Sequence, residues 1–222
     1  MLRRQDFTRT RVDALFEEAR RQGRSNHFWS HEEREADRRA LLEQMMPGED
    51  LWVFGYGSLI WNPAFHFVER RRARLYGFHR SFCLWLTLGR GSPQRPGLML
   101  ALNHGGSCVG IAYRIAAAEV ESETDILWMR EMISPAYSSR WVQLQVDGTP
   151  RAAVTFVINR ESERYTGPLA HERAVRHLAT AHGSIGSSRE YLNLTVAALR
   201  EEKIYDRRLE TLHEYVAAHD SE

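Results

Sequence analysis

The chain has 222 residues, 43% of them hydrophobic, enough for one sizeable core and a small satellite. With 30 Lys and Arg against 29 Asp and Glu, the formal net charge is +1, which supplies no global field for nucleic acid or an anionic membrane. No apolar run reaches membrane-spanning length, and two cysteines, Cys83 and Cys108, without C-x-x-C spacing are too few for a disulfide framework.

The N-terminal 'MLRRQDFTRTRVDALFEEARRQG' mixes charged and apolar residues at helical spacing and has no secretory h-region. A cytoplasmic globular protein is the expectation. Helices are predicted over 6–23 and 30–46. The second opens on Ser30 with Glu33 three residues on, the capping-box pattern. Pro47-Gly48 ends it. Residues 1–48 are therefore expected to form a helical N-terminal extension, with 49–222 as the main domain and its helical tail. The extension contributes no candidate site residue and is expected to be dispensable for chemistry.

From Leu51 the period changes, and strands are predicted over 51–55, 74–86, 98–102, 107–115, 140–146 and 152–158. 'NHGG' at 103–106 and Asp147-Gly148 read as hairpin turns. One helix is predicted over 118–133. The tail, 168–218, reads as three helices separated by Gly183 and by the region around Lys203. Mostly antiparallel strands, one inserted helix and a helical tail predict an α+β fold, with the sheet curled into a small, mostly antiparallel barrel.

The stretch 'LWVFGYGSLIWNP', 51–63, runs from a strand into a loop with two glycines. A dinucleotide fingerprint would need a third glycine at Ile60 and then a helix. A nucleophile elbow around Ser58 would need glycines at Tyr56 and Ile60. Both fail. What remains is a loop in which Gly55 and Gly57 are free to take positive φ and turn backbone N–H groups toward an anion, or one that only makes a bulge at a barrel corner.

In 'DILWMREMISPAY' the carboxylate of Glu131 projects within roughly 40° of Leu127 and Val120 on a helical wheel, and Arg130 points away from it. The apolar end of that helix is expected to enter the core and take Glu131 with it. A buried carboxylate is costly unless paired or kept near neutrality. Glu131 is therefore either a candidate acid/base or the partner of a core arginine. 'ERRRAR' at 69–74 reads as a solvated edge strand guarded by charge rather than a nucleic-acid patch. The ten histidines include no H-E-x-x-H, and His27 and His31 straddle a helix cap, so no metal site is expected. The two cysteines read as buried structural thiols.

'VFGYGSLIWNP', 'GFHRSFCLWLTLGRGS', 'RPGLMLAL', 'GIAYRI', 'LWMREMI' and 'EYL' occur in an order that resembles the bacterial ChaC-like family, glutathione-specific γ-glutamylcyclotransferases. The resemblance runs from about Leu51 to about residue 200 and more loosely into the N-terminal helices. Where eukaryotic members carry Gly-Gly-Tyr after the glutamate, Pro135-Ala136-Tyr137 stands here. The resemblance implies a mixed barrel flanked by helices and a carbon–nitrogen lyase of the amidine-lyase type. Such an enzyme takes glutathione to 5-oxoproline and Cys-Gly with no cofactor and no obligatory protein partner. It implies Glu131 as general acid/base and Val53, Phe54, Gly55, Tyr56, Gly57, Ser58 and Leu59 as substrate-binding residues. Arg80 or Arg90 is a candidate for the glycine carboxylate of glutathione, and Tyr165 and Tyr191 for lining the pocket. A cyclotransferase for other γ-glutamyl amines and a non-catalytic regulator of a membrane transporter stay open as alternatives.

Overall fold

The computed structural model describes residues 4–21 and 28–219. Its centre is a closed barrel of β1 (Leu51–Gly55), β2 (Glu69–Leu86), β3 (Gly97–Ile115), β4 (Tyr137–Val146) and β5 (Thr149–Ile158), in the order β1-β3-β2-β4-β5. The barrel closes where β1 meets β5 in parallel at Val53↔Val154, with a further contact at Leu102↔Val157. Inward-facing Val53, Leu75, Leu102, Ile111, Leu144 and Val154 are almost wholly buried, the alternation that fills a small barrel. The expected α+β barrel is thus present.

β1 begins and ends as predicted, but the other four barrel strands are longer. The pair expected over 98–102 and 107–115 is one strand, β3, and 'NHGG' closes no hairpin. Gly105 and Gly106, at φ 97° and 75°, stand opposite the single Gly77, at φ 83°, between the pairs Tyr76↔Ser107 and Phe78↔His104. Positive φ here makes a bulge that bends a continuous ladder. The true turn of the β2–β3 hairpin is the segment 87–96. Asp147-Gly148 does close a hairpin, with φ 48° and 78° at the two positions, the backbone of a two-residue type I′ turn. Exposed Arg70, Arg71 and Arg72 lie on the part of β2 that pairs with β3 alone, as expected for a charged edge.

Helices cover the barrel. α1 (Arg9–Arg21) and α2 (His31–Leu42) are shorter than predicted, and residues 22 and 23 of the expected first helix lie outside the described residues, as does His27. Ser30 and Glu33 form the capping box. α2 is fastened to the barrel side: Trp128 Nε1 and Ser139 Oγ each donate to Asp37 at 2.7 Å, and Leu41 joins the main core. After the one-turn α3 (Ser58–Trp61), α4 (Val120–Glu131) lies between α2 and the barrel and stops two residues early, at Glu131. The tail forms α5 (His171–Thr180), α6 (Ser188–Glu201) and α7 (Arg207–Ala218), with a two-rung hairpin, β6 (His182–Gly183) and β7 (Gly186–Ser187), at the expected break. No described helix is long and apolar enough to cross a membrane.

This topology brings several chain segments to one end of the barrel: the exits of β1 and β5, the start of β4, the α4 C-terminus, and the β2–β3 turn region.

Candidate active site

The loop 54–59 is held from behind by its carbonyls. Phe54 O accepts from Thr155 Oγ1 (3.0 Å), Tyr56 O from Arg80 Nε (2.5 Å), and Leu59 O from Tyr113 Oη (3.0 Å). Gly57 O and Ser58 O accept the backbone N–H groups of Ile60 and Asn62, both at 2.9 Å. Side chains of Val53, Phe54 and Leu59 are in the core, so only their backbones face the site.

The glycines play a different part from the one expected. Neither Gly55 nor Gly57 takes positive φ, so no nest is built on left-handed turns. Both are needed for space. A Cβ on Gly57 would meet Tyr191 Oη at 3.0 Å and Leu100 Cδ2 at 3.5 Å; one on Gly55 would meet Leu59 Cβ at 3.0 Å and the Tyr113 ring at 3.1 Å. The backbone is stripped of side chains so that phenols can approach it.

Glu131 is the last residue of α4 and its side chain is 15% exposed. Arg130, expected to point away, curls back: its Nε donates to Glu131 Oε1 at 2.8 Å, Nη2 to Ser58 Oγ at 2.9 Å, and Nη1 to Asn62 O. A four-bond side chain overrides the direction set at its Cα. The pair therefore joins the helix end to the loop, and the arginine that meets Glu131 is its own neighbour. Burial raises the Glu131 pKa above the usual carboxylate range, while the adjacent guanidinium pulls it back down.

Three phenols stand close enough to feel the Glu131 charge. Burial pushes Tyr56 and Tyr137 well above 10 and Tyr191 up to about 12, and Glu131 adds to each. All three are neutral hydrogen-bonding groups at physiological pH. Tyr191 receives the hydroxyl and the backbone amide of Ser58, and Tyr137 Oη donates to Leu100 O at 3.0 Å. In the sequence, Tyr137 stands out only as the last residue of Pro135-Ala136-Tyr137, and the strand is predicted from residue 140; in the structure Tyr137 heads β4.

The remaining candidates separate. Arg80 is buried and committed to framework: besides Tyr56 O it binds Val109 O and Asp206 Oδ2, the latter at 3.3 Å. Arg90 lies over the Tyr191 ring at 5.7 Å, with its Nη1 on Ser187 O (2.8 Å) and Glu190 Oε2 (2.7 Å). Tyr165 Oη accepts from Asn103 Nδ2 (3.3 Å), and its ring joins the small cluster of Cys83, Leu84, Ala101, Ala136 and Ile158. Burial lifts the thiol pKa of Cys83 to about 12 and of Cys108 to about 11, far from thiolate chemistry. A groove of ≈ 540 Å³ beside Trp52, Trp141 and Arg151 lies toward the opposite end of the barrel, where β1 starts, and contains none of these groups.

Residues 51–219 match the family model described as ChaC-like protein. Over 166 residues the chain is 41% identical to a glutathione-specific γ-glutamylcyclotransferase of Escherichia coli (strain K12), covering 74% of this chain and 72% of that one. It is 31% identical over 147 residues to glutathione-specific γ-glutamylcyclotransferase 1 of Homo sapiens, covering 64% and 66%. A crystal structure of a γ-glutamyl cyclotransferase specific to glutathione from yeast superposes with a TM-score of 0.70 at 23% identity, covering 76% of this chain and 96% of that one. That likeness is one of fold. The family match reaches past residue 200 to residue 219, further than the motifs did.

Proposed function

The chain belongs to the ChaC-like family, and from that membership we propose that it cleaves glutathione to 5-oxoproline and Cys-Gly. The observation that carries the reading is Glu131: a carboxyl at a helix end, mostly buried, raised in pKa, near three neutral phenols and a loop opened by Gly55 and Gly57. The substrate's own α-amine attacks its γ-carbonyl carbon and closes a five-membered ring, so no protein nucleophile is required. The enzyme's task is to hold the amine at attack distance and to move protons. Glu131 takes a proton from the attacking amine and delivers one to the departing amide nitrogen as the C–N bond breaks. A raised pKa suits both halves of that exchange.

The glutamyl head group lies against the backbone of residues 53–59. With the carbonyls of Phe54, Tyr56, Gly57, Ser58 and Leu59 already bonded to the framework, the loop offers N–H groups to the α-carboxylate. Tyr56 and Tyr191 orient the head group as neutral donors, and Arg130 sets the position of Glu131 relative to Ser58. The cytoplasm, where glutathione is kept reduced, is the compartment this activity fits.

The test is direct. Purified protein is given glutathione, and 5-oxoproline and Cys-Gly are measured together. Equimolar release of both supports the reading; hydrolysis to glutamate instead of 5-oxoproline would overturn it.

A further inference from the structure

Among the described residues, Arg80, Arg90, Arg130 and Arg164 lie toward the site end of the barrel with much of their surface removed from water, and the first three each meet a carboxylate. Arg80 pairs with Asp206 at 3.3 Å, Arg90 with Glu190 at 2.7 Å, and Arg130 with Glu131 at 2.8 Å. Arg164 is the exception. Its Nε donates to Trp85 O at 3.0 Å and its Nη1 to Ser134 Oγ at 2.9 Å, and among the described residues no carboxylate forms a salt bridge with it. Glu163 beside it in the chain is exposed. The Glu163 charge acts on Arg164 only from an exposed position, and a cation partly withdrawn from water without a direct ion-pair partner gains from an anion that can reach it.

Its place in the fold says which anion can reach it. Ser134, the buried hydroxyl that fixes the guanidinium, follows Glu131 by three residues, at most ~11 Å of chain. Tyr165, next to Arg164, bridges to Leu84 of β2 and joins the cluster that also receives Tyr137. Burial lowers the Arg164 pKa, with Tyr137 and the exposed Glu163 acting the other way; Tyr137 is also a neighbour of Glu131. The two residues released beyond the scissile bond as Cys-Gly span about 7 Å when extended, a length commensurate with that separation.

We propose that Arg164 receives the carboxylate at the far end of the substrate, so that the site selects γ-glutamyl peptides ending in a carboxylate over γ-glutamyl amides that lack one. This rests on the glutathione-cleaving reading above. Two of the guanidinium's edges are fixed by Trp85 and Ser134, which leaves Nη2 and the second Nη1 hydrogen as the donors for the anion. The interaction acts on binding, away from the reacting atoms, so it belongs in KM rather than kcat.

The experiment compares glutathione with its glycine ethyl ester, which keeps every atom of the reacting centre and replaces the terminal carboxylate by a neutral ester. Steady-state release of 5-oxoproline is measured for wild type, Arg164→Gln and Arg164→Lys. For wild type, KM for the ester is expected to exceed that for glutathione by about ten-fold or more, the scale of a charge-assisted hydrogen bond, with kcat nearly unchanged. Arg164→Gln should raise KM for glutathione to the ester's value and leave the ester unaffected, with Arg164→Lys between. Equal KM values for the two substrates in wild type would overturn the proposal, whether or not the Gln variant folds. So would a folded Gln variant that still discriminates, which would move the role to another cation such as Arg160 or Arg173. Release of 5-oxoproline from neither substrate would instead overturn the activity itself.

Discussion

Arg130 and Glu131 are consecutive, and the guanidinium of the first folds back to donate to the carboxylate of the second at 2.8 Å while its other arm holds Ser58 at 2.9 Å. The pair is a clamp between a helix end and a loop. It defines what a change at Glu131 must preserve.

Glu131→Gln keeps a carbonyl oxygen for Arg130 Nε and removes the titrating group. We expect kcat to fall by on the order of 10²-fold or more, with Tm little changed and glutathione still bound. Near-normal turnover would refute the acid/base assignment; a large stability loss with activity retained per folded molecule would make the residue structural. The pH dependence has a definite sign. Because burial raises the Glu131 pKa in the fold, the native state holds this proton more tightly than the unfolded chain. The resulting stabilisation is fully present below the unfolded carboxylate pKa and is lost as pH rises through the folded value. Wild type should show this loss and the Gln variant should not. The acid limb of kcat/KM should lie above the usual carboxylate range and disappear with the residue.

Gly57→Val tests the close approach of Tyr191. The first added carbon would already stand 3.0 Å from Tyr191 Oη, and the branch adds to the overpacking, a cost of about 1–3 kcal/mol. KM should rise and kcat fall together, with Gly57→Ala between Val and wild type. Unchanged kinetics in a folded Val variant would mean that the phenol has no part in turnover.

Cys83→Ala with Cys108→Ala should leave turnover intact, since neither thiol ionises near neutral pH. Truncating two buried side chains should lower stability by ~1 kcal/mol each, about 2–4 °C in Tm apiece. Complete inactivity of the folded double variant would reopen a covalent route.

Deleting residues 1–48 removes the Asp37 carboxylate from Trp128 and Ser139 and the Leu41 carbonyl from Trp141 Nε1. Each buried donor left unpaired costs about 1–3 kcal/mol, so the shortened protein should melt well below wild type. Activity per folded molecule, from circular dichroism and 5-oxoproline release on one preparation, should persist. Folded but inactive protein would show that α2 shapes the pocket through α4.

Much of the barrel was legible because its strands announce themselves as apolar runs, and β1 and the Asp147-Gly148 turn were read correctly at their ends. The β2–β3 ladder was not, since two glycines with positive φ give the same sequence signal in a bulge as in a hairpin. Glu131 was legible as a carboxylate among Leu127, Trp128 and Met132. Arg130's reversal was not, because helical spacing fixes a Cα direction and says nothing of where four further bonds lead. Arg164 sits in the polar segment 'ESERYTG', which reads as a solvated turn; only the fold shows that a turn can be tucked against Trp85 and Ser134.

The loop that carries Tyr56 is shaped by groups far from it along the chain: Arg80 on β2, Tyr113 on β3 and Thr155 on β5. Thr155 stands beside Val154, the residue through which β5 meets β1 and seals the barrel. The last barrel strand to be synthesised therefore completes the closure and supplies one anchor of the loop. Such distant pairing makes folding slow, on the millisecond-to-second scale typical of non-local β topologies. No nascent chain that ends before β5 can present the loop in its working form. Competence thus needs the closing strand and then α6, which follows it in the chain and brings Tyr191 to the loop, so the onset of glutathione turnover in a newly made molecule is tied to the end of its folding.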